Sequence, residues 1–84
     1  MNYEVDWPND VLATLAAVWV RTRDRKGVTV AQAAIDQALL SDPRGSGTPV
    51  SEGLYRIEVL PLRVQFEISE DDHVVTVVSV RELP

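Results

Sequence analysis

The chain has 84 residues, with eight basic and thirteen acidic side chains, one histidine and no cysteine, which gives a formal net charge of −5. This length supports one domain, and the absence of cysteine excludes disulfide bonds and thiol catalysis. One histidine without cysteine argues against a structural zinc site. An acidic protein also needs a local basic patch if it is to bind nucleic acid.

The first segment predicts a strand followed by a helix. Tyr3, Val5 and Trp7 alternate with polar residues, as expected for a half-buried strand. Pro8 suits the first turn of a helix, where its missing N–H costs nothing. Apolar residues then recur at helical spacing and form one stripe: Val11, Leu12, Leu15, Val18 and Trp19.

A second helix follows a short basic segment. Gly27 permits a left-handed end for the first helix. Thr29 and Gln32 have the spacing of a capping box, so we expect the second helix to begin at Thr29. It runs to about Leu40 and ends at Asp42-Pro43, because the residue before a proline avoids the helical region. The short connection predicts an antiparallel hairpin of two helices.

The segment from Ser41 to Gly53 contains two prolines and three glycines, and we expect it to be a loop. Signals for export and membrane insertion are missing. The first residues lack the basic start and long apolar core of a signal peptide. The longest mostly apolar run, Val11–Val20, is about half of what spans a bilayer. The expectation is a cytoplasmic protein with no membrane partner.

Three consecutive strands are predicted in the last third of the chain, at Leu54–Val59, Leu62–Ser69 and Val74–Arg81. A two-residue turn at Leu60-Pro61 would join the apolar faces of the first two. The last strand is apolar on both sides through most of its length, so we expect it to be an inner strand.

These elements predict a single α+β domain over residues 1–84. Their order is βααβββ, and an antiparallel sheet carries the two-helix hairpin on its apolar face. The position of the first strand in the sheet stays open at this point.

Three arginines on the predicted strands are the candidate site: Arg56, Arg63 and Arg81. If they converge, their guanidinium groups could bind phosphate oxygens and stabilise a pentavalent phosphate. In the alternative interpretation, Arg63 pairs with Glu58 across the hairpin and Arg56 is a solvated edge charge. Glu58 is the best candidate for a general base, and an ion pair with Arg63 would argue against that role.

The face on which Arg81 lies depends on the register of the last hairpin. A two-residue turn at Asp71-Asp72 would place Arg81 opposite Leu62, on the apolar side. A three-residue turn would place it on the side of Arg63. The sequence leaves both registers open.

Other candidate residues have simpler interpretations. The basic cluster is typical of a solvated helix end, although it could contact nucleic acid or an acidic partner; it consists of Arg21, Arg23, Arg25 and Lys26. His73 lies in a predicted turn, where a solvated histidine is expected rather than a metal ligand or a general base. We expect the aromatic residues Tyr3, Trp7, Trp19, Tyr55 and Phe66 in the core, and only Tyr55 is also a candidate for ligand contact. We predict no cofactor and no metal.

The segment GLYRIEVLPLRVQFEISEDDHVVTVVSVRE, residues 53–82, resembles the RelE/ParE family of bacterial type II toxin–antitoxin toxins. The family typically shows a strand with Tyr-Arg, a turn, a strand with Arg-Val, a short acidic turn, and a strand ending in Val and Arg. YEVDW at residues 3–7 and LLSDPRGSG at residues 39–47 also fit the family's order of elements.

This resemblance implies a toxin that inhibits growth and is neutralised by a cognate antitoxin in a hetero-oligomer. RelE-like members cleave mRNA on the ribosome, and ParE-like members inhibit DNA gyrase without catalysis. By position, Arg56 and Arg63 match basic sites of the family, and Arg81 lies near a third. Glu58 stands where nuclease members often carry another basic residue. A divergent member that only binds a partner protein is therefore a further alternative.

Overall fold

The computed structural model describes residues 2–84 and confirms the predicted α+β fold class. The elements in chain order are β1 (Glu4–Asp6), α1 (Asn9–Arg21), α2 (Arg25–Ser41), α3 (Pro43–Ser46), β2 (Thr48–Ser51), β3 (Leu54–Val59), β4 (Leu62–Ser69) and β5 (Val74–Glu82). The three strands predicted in the last third are β3, β4 and β5.

The strands form one five-stranded sheet in the order β1-β5-β4-β3-β2. Strands β2 to β5 pair antiparallel, whereas β1 pairs parallel with β5, with Val5 opposite Val75. The chain between these two strands runs through the helices and through β2, β3 and β4, so it is long enough for the crossover that a parallel pair requires. β5 is thus an inner strand, as its apolar character on both sides predicts.

The segment predicted as a loop instead contains α3 and β2, so this prediction was wrong. The Asp42 side chain caps α3 by accepting a hydrogen bond from the Gly45 amide at 3.1 Å. β2 gains its hydrogen bonds by pairing with β3, where Thr48 lies opposite Arg56. All four β2 side chains are exposed. The sequence of this strand therefore lacks the alternation of apolar and polar residues that predicts a half-buried strand.

The prediction for the start of the second helix was also wrong, because α2 begins four residues earlier. The carboxylate of Asp24 accepts a hydrogen bond from the Gly27 amide at 3.0 Å and caps the helix. Gly27 is consequently helical and does not end α1 in a left-handed conformation. Thr29 lies inside α2 and is exposed.

Helices α1 and α2 cover one face of the sheet, and the core lies between these layers. Its buried members are Val11, Leu15 and Val18 on α1, Val28, Ala31, Ile35 and Leu39 on α2, and Ile57, Leu62, Val64, Phe66, Val75, Val77 and Val80 on the sheet. Within residues 2–84, no helix lies on the opposite face of the sheet, which is open to solvent.

The expectation that every aromatic side chain is buried holds only for Phe66. Tyr3, Trp7 and Tyr55 are partly buried against the core. Trp19 is 44% exposed, because its neighbour Val18 takes the inward position on α1 and turns Trp19 to the rim. No helix within residues 2–84 is long and apolar enough to cross a membrane.

Candidate anion-binding face of the sheet

The open face of the sheet carries all three candidate arginines. Arg56, Arg63 and Arg81 lie on β3, β4 and β5, which are adjacent strands. Arg63 lies directly opposite Arg81, and Arg56 lies opposite Gln65 in the next row. Opposing residues in antiparallel strands have their Cβ atoms about 5 Å apart. The fold therefore gathers these three residues on a solvent-exposed surface.

A β-bulge in β5 decides the face of Arg81. Phe66 lies opposite Val77 and Gln65 lies opposite Ser79, so Val78 is an extra residue without a partner. The bulge moves every following residue of β5 by one position relative to β4.

The register near the turn differs from the register beyond the bulge. Ser69 lies opposite Val74 at the turn, and continued pairing from there would place Arg81 opposite Leu62. This is the register of the two-residue turn considered from the sequence. The bulge converts it into the pairing of Arg63 with Arg81, so Arg81 joins the open face without a longer turn.

Glu58 lies between two of the arginines. Its Oε2 atom accepts a hydrogen bond from the Nε of Arg63 at 2.6 Å and lies 3.7 Å from the Nε of Arg56. The cross-strand pair of Glu58 and Arg63 is thereby confirmed. One carboxylate neutralises part of the positive charge, and the group formed by Arg56, Glu58, Arg63 and Arg81 remains net positive.

Neutral polar side chains complete the centre of the open face. The Ser79 hydroxyl donates a hydrogen bond to Gln65 Oε1 at 3.2 Å. Sequence reasoning did not identify Ser79 as part of the site, since its place beside Gln65 depends on the bulge. Ser and Gln side chains can donate hydrogen bonds to an anion without adding charge.

The charges are distributed unevenly along the molecule. We define the basic end as the end of the sheet that contains the β3–β4 turn and the end of β5. Arg21 and Arg23 line a shallow surface groove there, together with Glu82. The basic end also contains the strand residues Arg63 and Arg81.

The opposite, acidic end contains the β4–β5 turn with Glu70, Asp71 and Asp72, and β1 brings Glu4 next to this turn. The one basic residue described at this end is Arg44, whose Nε donates a hydrogen bond to Glu70 at 3.2 Å. A chain of net charge −5 thus still presents a local basic surface.

Arg25 belongs to the helix end and not to the open face. Its Nε donates a hydrogen bond to the carbonyl of Trp19 and its Nη2 donates one to the carbonyl of Val20, both at 3.0 Å. Its guanidinium lies over the Trp19 ring, 4.7 Å from the centroid. These contacts stabilise the carboxyl end of α1.

The two remaining candidates lie away from the arginines. The His73 ring stacks on Tyr3 in the acidic end, with centroids 5.3 Å apart. Among the described residues, no group of three or more acidic or histidine side chains is arranged to hold a metal ion. Tyr55 stacks on Phe66 on the core side of the sheet, so it faces away from Arg56.

Comparison with protein-family models and with curated protein sequences gives no match. Solved structures do match. A chain of the RelBE2 toxin–antitoxin complex from Mycobacterium tuberculosis aligns with a TM-score of 0.79 and 15% identity, over 98% of this chain and 99% of that chain.

The isolated RelE toxin of E. coli aligns with a TM-score of 0.68 and 17% identity, over 98% of this chain and 85% of that chain. A chain of the archaeal RelE–RelB complex from Pyrococcus horikoshii gives a TM-score of 0.60 at 14% identity, over 98% and 96% of the two chains. The protein therefore has the fold of the RelE toxins, as the resemblance in its sequence predicts.

Proposed function

We propose that this protein is the toxin of a type II toxin–antitoxin pair and that its open sheet face cleaves mRNA on the ribosome. The observation that carries the proposal is the placement of Arg56, Arg63 and Arg81 together on that face. The similar structures include RelE toxins alone and complexes of RelE with RelB. The basic end meets the requirement for a local positive surface on an acidic chain.

In this mechanism the guanidinium groups act on the phosphate between two nucleotides. Arg56 and Arg63 bind its non-bridging oxygens, and Arg81 assists from the neighbouring strand. The ribose 2′-oxygen attacks phosphorus as its proton passes to water. The bond to the 5′-oxygen of the next nucleotide breaks, this oxygen takes up a proton from water, and a 2′,3′-cyclic phosphate remains. The arginines stabilise the negative charge that develops on the pentavalent phosphate. We assign no general base, because Glu58 is engaged with Arg63.

The proposed partner is a cognate antitoxin. Several apolar side chains on the helices are exposed: Leu12, Trp19, Val20 and Val30. A chain of this size buries only about 60–65% of its unfolded surface, so a partner that covers such residues would add stability. An antitoxin segment bound across the helices would account for this apolar surface.

A second candidate function is non-enzymatic inhibition of DNA gyrase. The observation that favours it is the contact of Glu58 with both Arg56 and Arg63, which weakens the positive field where a nuclease needs it. The same contact of Glu58 with the two arginines also favours a third candidate function, which is binding to a partner protein without any catalysis.

Controlled expression in bacteria, with and without the neighbouring gene, separates these functions. We expect growth arrest, new 5′ ends in mRNA, and rescue by the neighbouring gene. The double variant R56A/R63A should produce no new ends. The matched control R44A removes an exposed arginine from the acidic end and should leave cleavage unchanged.

The other outcomes identify the alternatives. Arrest without new mRNA ends, together with induction of the DNA-damage response, would favour gyrase as the target. The absence of arrest would leave only the partner-binding function. Cleavage that persists in R56A/R63A would reject the assigned site.

A further inference from the structure

We propose that the carboxylate of Glu58 occupies the place of a phosphate oxygen between Arg56 and Arg63, and that a phosphate ligand binds only by displacing it. This inference rests on the proposed function, because it concerns the same open face. It assigns Glu58 a regulatory role, as an internal anion that competes with the ligand.

The geometry is that of a shared anion site. A single oxygen, Oε2 of Glu58, lies 2.6 Å from the Nε of Arg63 and 3.7 Å from the Nε of Arg56. Glu58 is directly opposite Arg63 in the sheet and two residues after Arg56 on the same strand. Guanidinium groups bind carboxylate and phosphate oxygens by the same charge-assisted hydrogen bonds. Both arginines are therefore already arranged around one anionic oxygen.

The internal anion can be displaced because it is held at the surface. The side chains of Arg56, Glu58 and Arg63 are 41%, 38% and 31% exposed. Ion pairs of such exposure contribute little to stability, so their rupture does not threaten the fold. Glu58 can rotate into solvent while its backbone stays in β3.

Arg81 supplies the charge that favours exchange. Among the ion pairs formed within residues 2–84, none involves Arg81, although it lies opposite Arg63. Arg81 is exposed, so a phosphate at this face can bind its guanidinium while it competes with Glu58 for the other two. A diester phosphate carries the same single charge as Glu58, so the contribution of Arg81 favours the phosphate.

Replacement of Glu58 by glutamine keeps the length and shape of the side chain but removes the competing charge. We expect E58Q to bind a single-stranded oligonucleotide of 2′-O-methyl ribose roughly fivefold more tightly than the wild type does. This probe cannot be cleaved, because its 2′-oxygen is methylated. Because one more phosphate contact becomes effective, the slope of log affinity against log salt should steepen by about 0.7.

The matched control is E67Q. Glu67 lies on the same open face, on β4, and is exposed, but it lies opposite Leu54 and Thr76 instead of an arginine. E67Q changes the net charge by the same amount as E58Q, so it should give less than a twofold change in affinity. If E58Q and E67Q gained affinity equally, the change in net charge alone would explain the effect, and the proposal would be overturned.

A second readout is independent of RNA chemistry. Inorganic phosphate is titrated into the protein while the Nε–H signals of Arg56 and Arg63 are followed by NMR. In E58Q these signals should shift at several-fold lower phosphate concentration than in the wild type. The proposal would be overturned if E58Q gains affinity in neither titration or binds neither probe. If E58Q unfolds, E58A serves as the second variant.

Failure here and failure of the proposed function give different results. If the protein cleaves mRNA in cells but E58Q binds no better, only the role of Glu58 is lost. If E58Q binds both probes more tightly but no cleavage occurs in cells, the anion site stands and the nuclease function is lost.

Discussion

Arg63 and Arg81 lie directly opposite each other on neighbouring strands because a single extra residue, Val78, is inserted in β5. Without this bulge, Arg81 would lie opposite the fully buried Leu62. For this sequence, the bulge therefore decides whether Arg81 is part of the candidate site or a charge directed into the core.

Insertion of one alanine between Ser79 and Val80 should be strongly destabilising. With Ser79 still opposite Gln65, the alanine would take the place opposite Val64, turn Arg81 toward the core and move Val80, which is 5% exposed, to the open face. Burial of an unpaired charge and loss of a buried valine should cost more than about 3 kcal/mol. Thermal unfolding followed by circular dichroism measures the loss. The control V78T keeps the chain length at a 39% exposed position and should change stability by less than about 1 kcal/mol.

The start of α2 can be tested with two caps, one observed and one predicted. D24A removes the carboxylate that accepts from the Gly27 amide and should lower the free energy of unfolding by about 1 kcal/mol. T29A changes the residue that the sequence pattern marks as a cap, although it lies inside the helix. It should have no more than about 0.5 kcal/mol of effect in urea unfolding. A larger loss in T29A than in D24A would contradict the observed helix start.

Gly47 permits close packing between the α3–β2 junction and the core. A Cβ atom at this position would lie 2.6 Å from Cζ of Phe66 and 3.3 Å from the carbonyl oxygen of Arg56. Phe66 is fully buried, so it cannot move without a shift of the core. G47A should therefore cost about 1–3 kcal/mol in denaturant unfolding. S46A, at the exposed neighbouring residue, should be nearly neutral, and equal effects of the two would contradict this packing.

Trp19 should matter more for partner binding than for folding. It is 44% exposed, whereas Leu39 on α2 is fully buried. L39A should lower stability by about 2–5 kcal/mol. W19A should cost about 1 kcal/mol or less but weaken binding of the antitoxin encoded by the neighbouring gene by more than about tenfold. Calorimetry of the complex and urea unfolding of the free protein measure these two effects separately. Unchanged affinity in W19A would remove Trp19 from the proposed partner surface.

The acidic end should respond to high pH. Partial burial raises the pKa of Tyr3 above its ordinary value of 10.0, and its hydrogen bond to Glu70 raises that pKa further. A raised pKa in the folded state contributes stability that is fully present below pH 10 and is lost as pH rises through the folded pKa. Absorbance of the phenolate, measured in a Y55F background, follows Tyr3 alone.

Two variants check the causes of this shift. E70Q should move the Tyr3 titration back toward the ordinary pKa, although the contribution of burial remains. Y3F should remove the loss of stability that accompanies ionisation of this phenol. A Tyr3 titration at or below the ordinary value in the wild type would contradict the contact with Glu70.

Neighbouring residues along the chain determined much of the fold. The two-residue turn at Leu60-Pro61 determined the pairing of Glu58 with Arg63, because strands joined by so short a turn can pair in only one register. The apolar character of Val74–Arg81 on both sides indicated an inner strand. Asp42-Pro43 ended α2 where the sequence predicted, since proline restricts the residue before it.

Contacts between residues distant in the sequence decided the rest. β2 exists because β3 provides hydrogen-bond partners, and its exposed side chains carry no pattern that reveals it. The parallel placement of β1 depends on its pairing with β5, which is the last strand of the chain. Trp19 is 44% exposed because the neighbouring Val18 takes the buried position against the sheet.

The candidate site illustrates this division best. The sequence by itself determined which residues could bind an anion, because the chemistry of arginine and the alternation of a strand are local properties. Only the tertiary structure decided that Arg81 shares a face with Arg63, and that the basic groups collect at one end of an acidic chain. The physical reason is that a bulge and a sheet order are set by packing across strands, and no short segment carries that information.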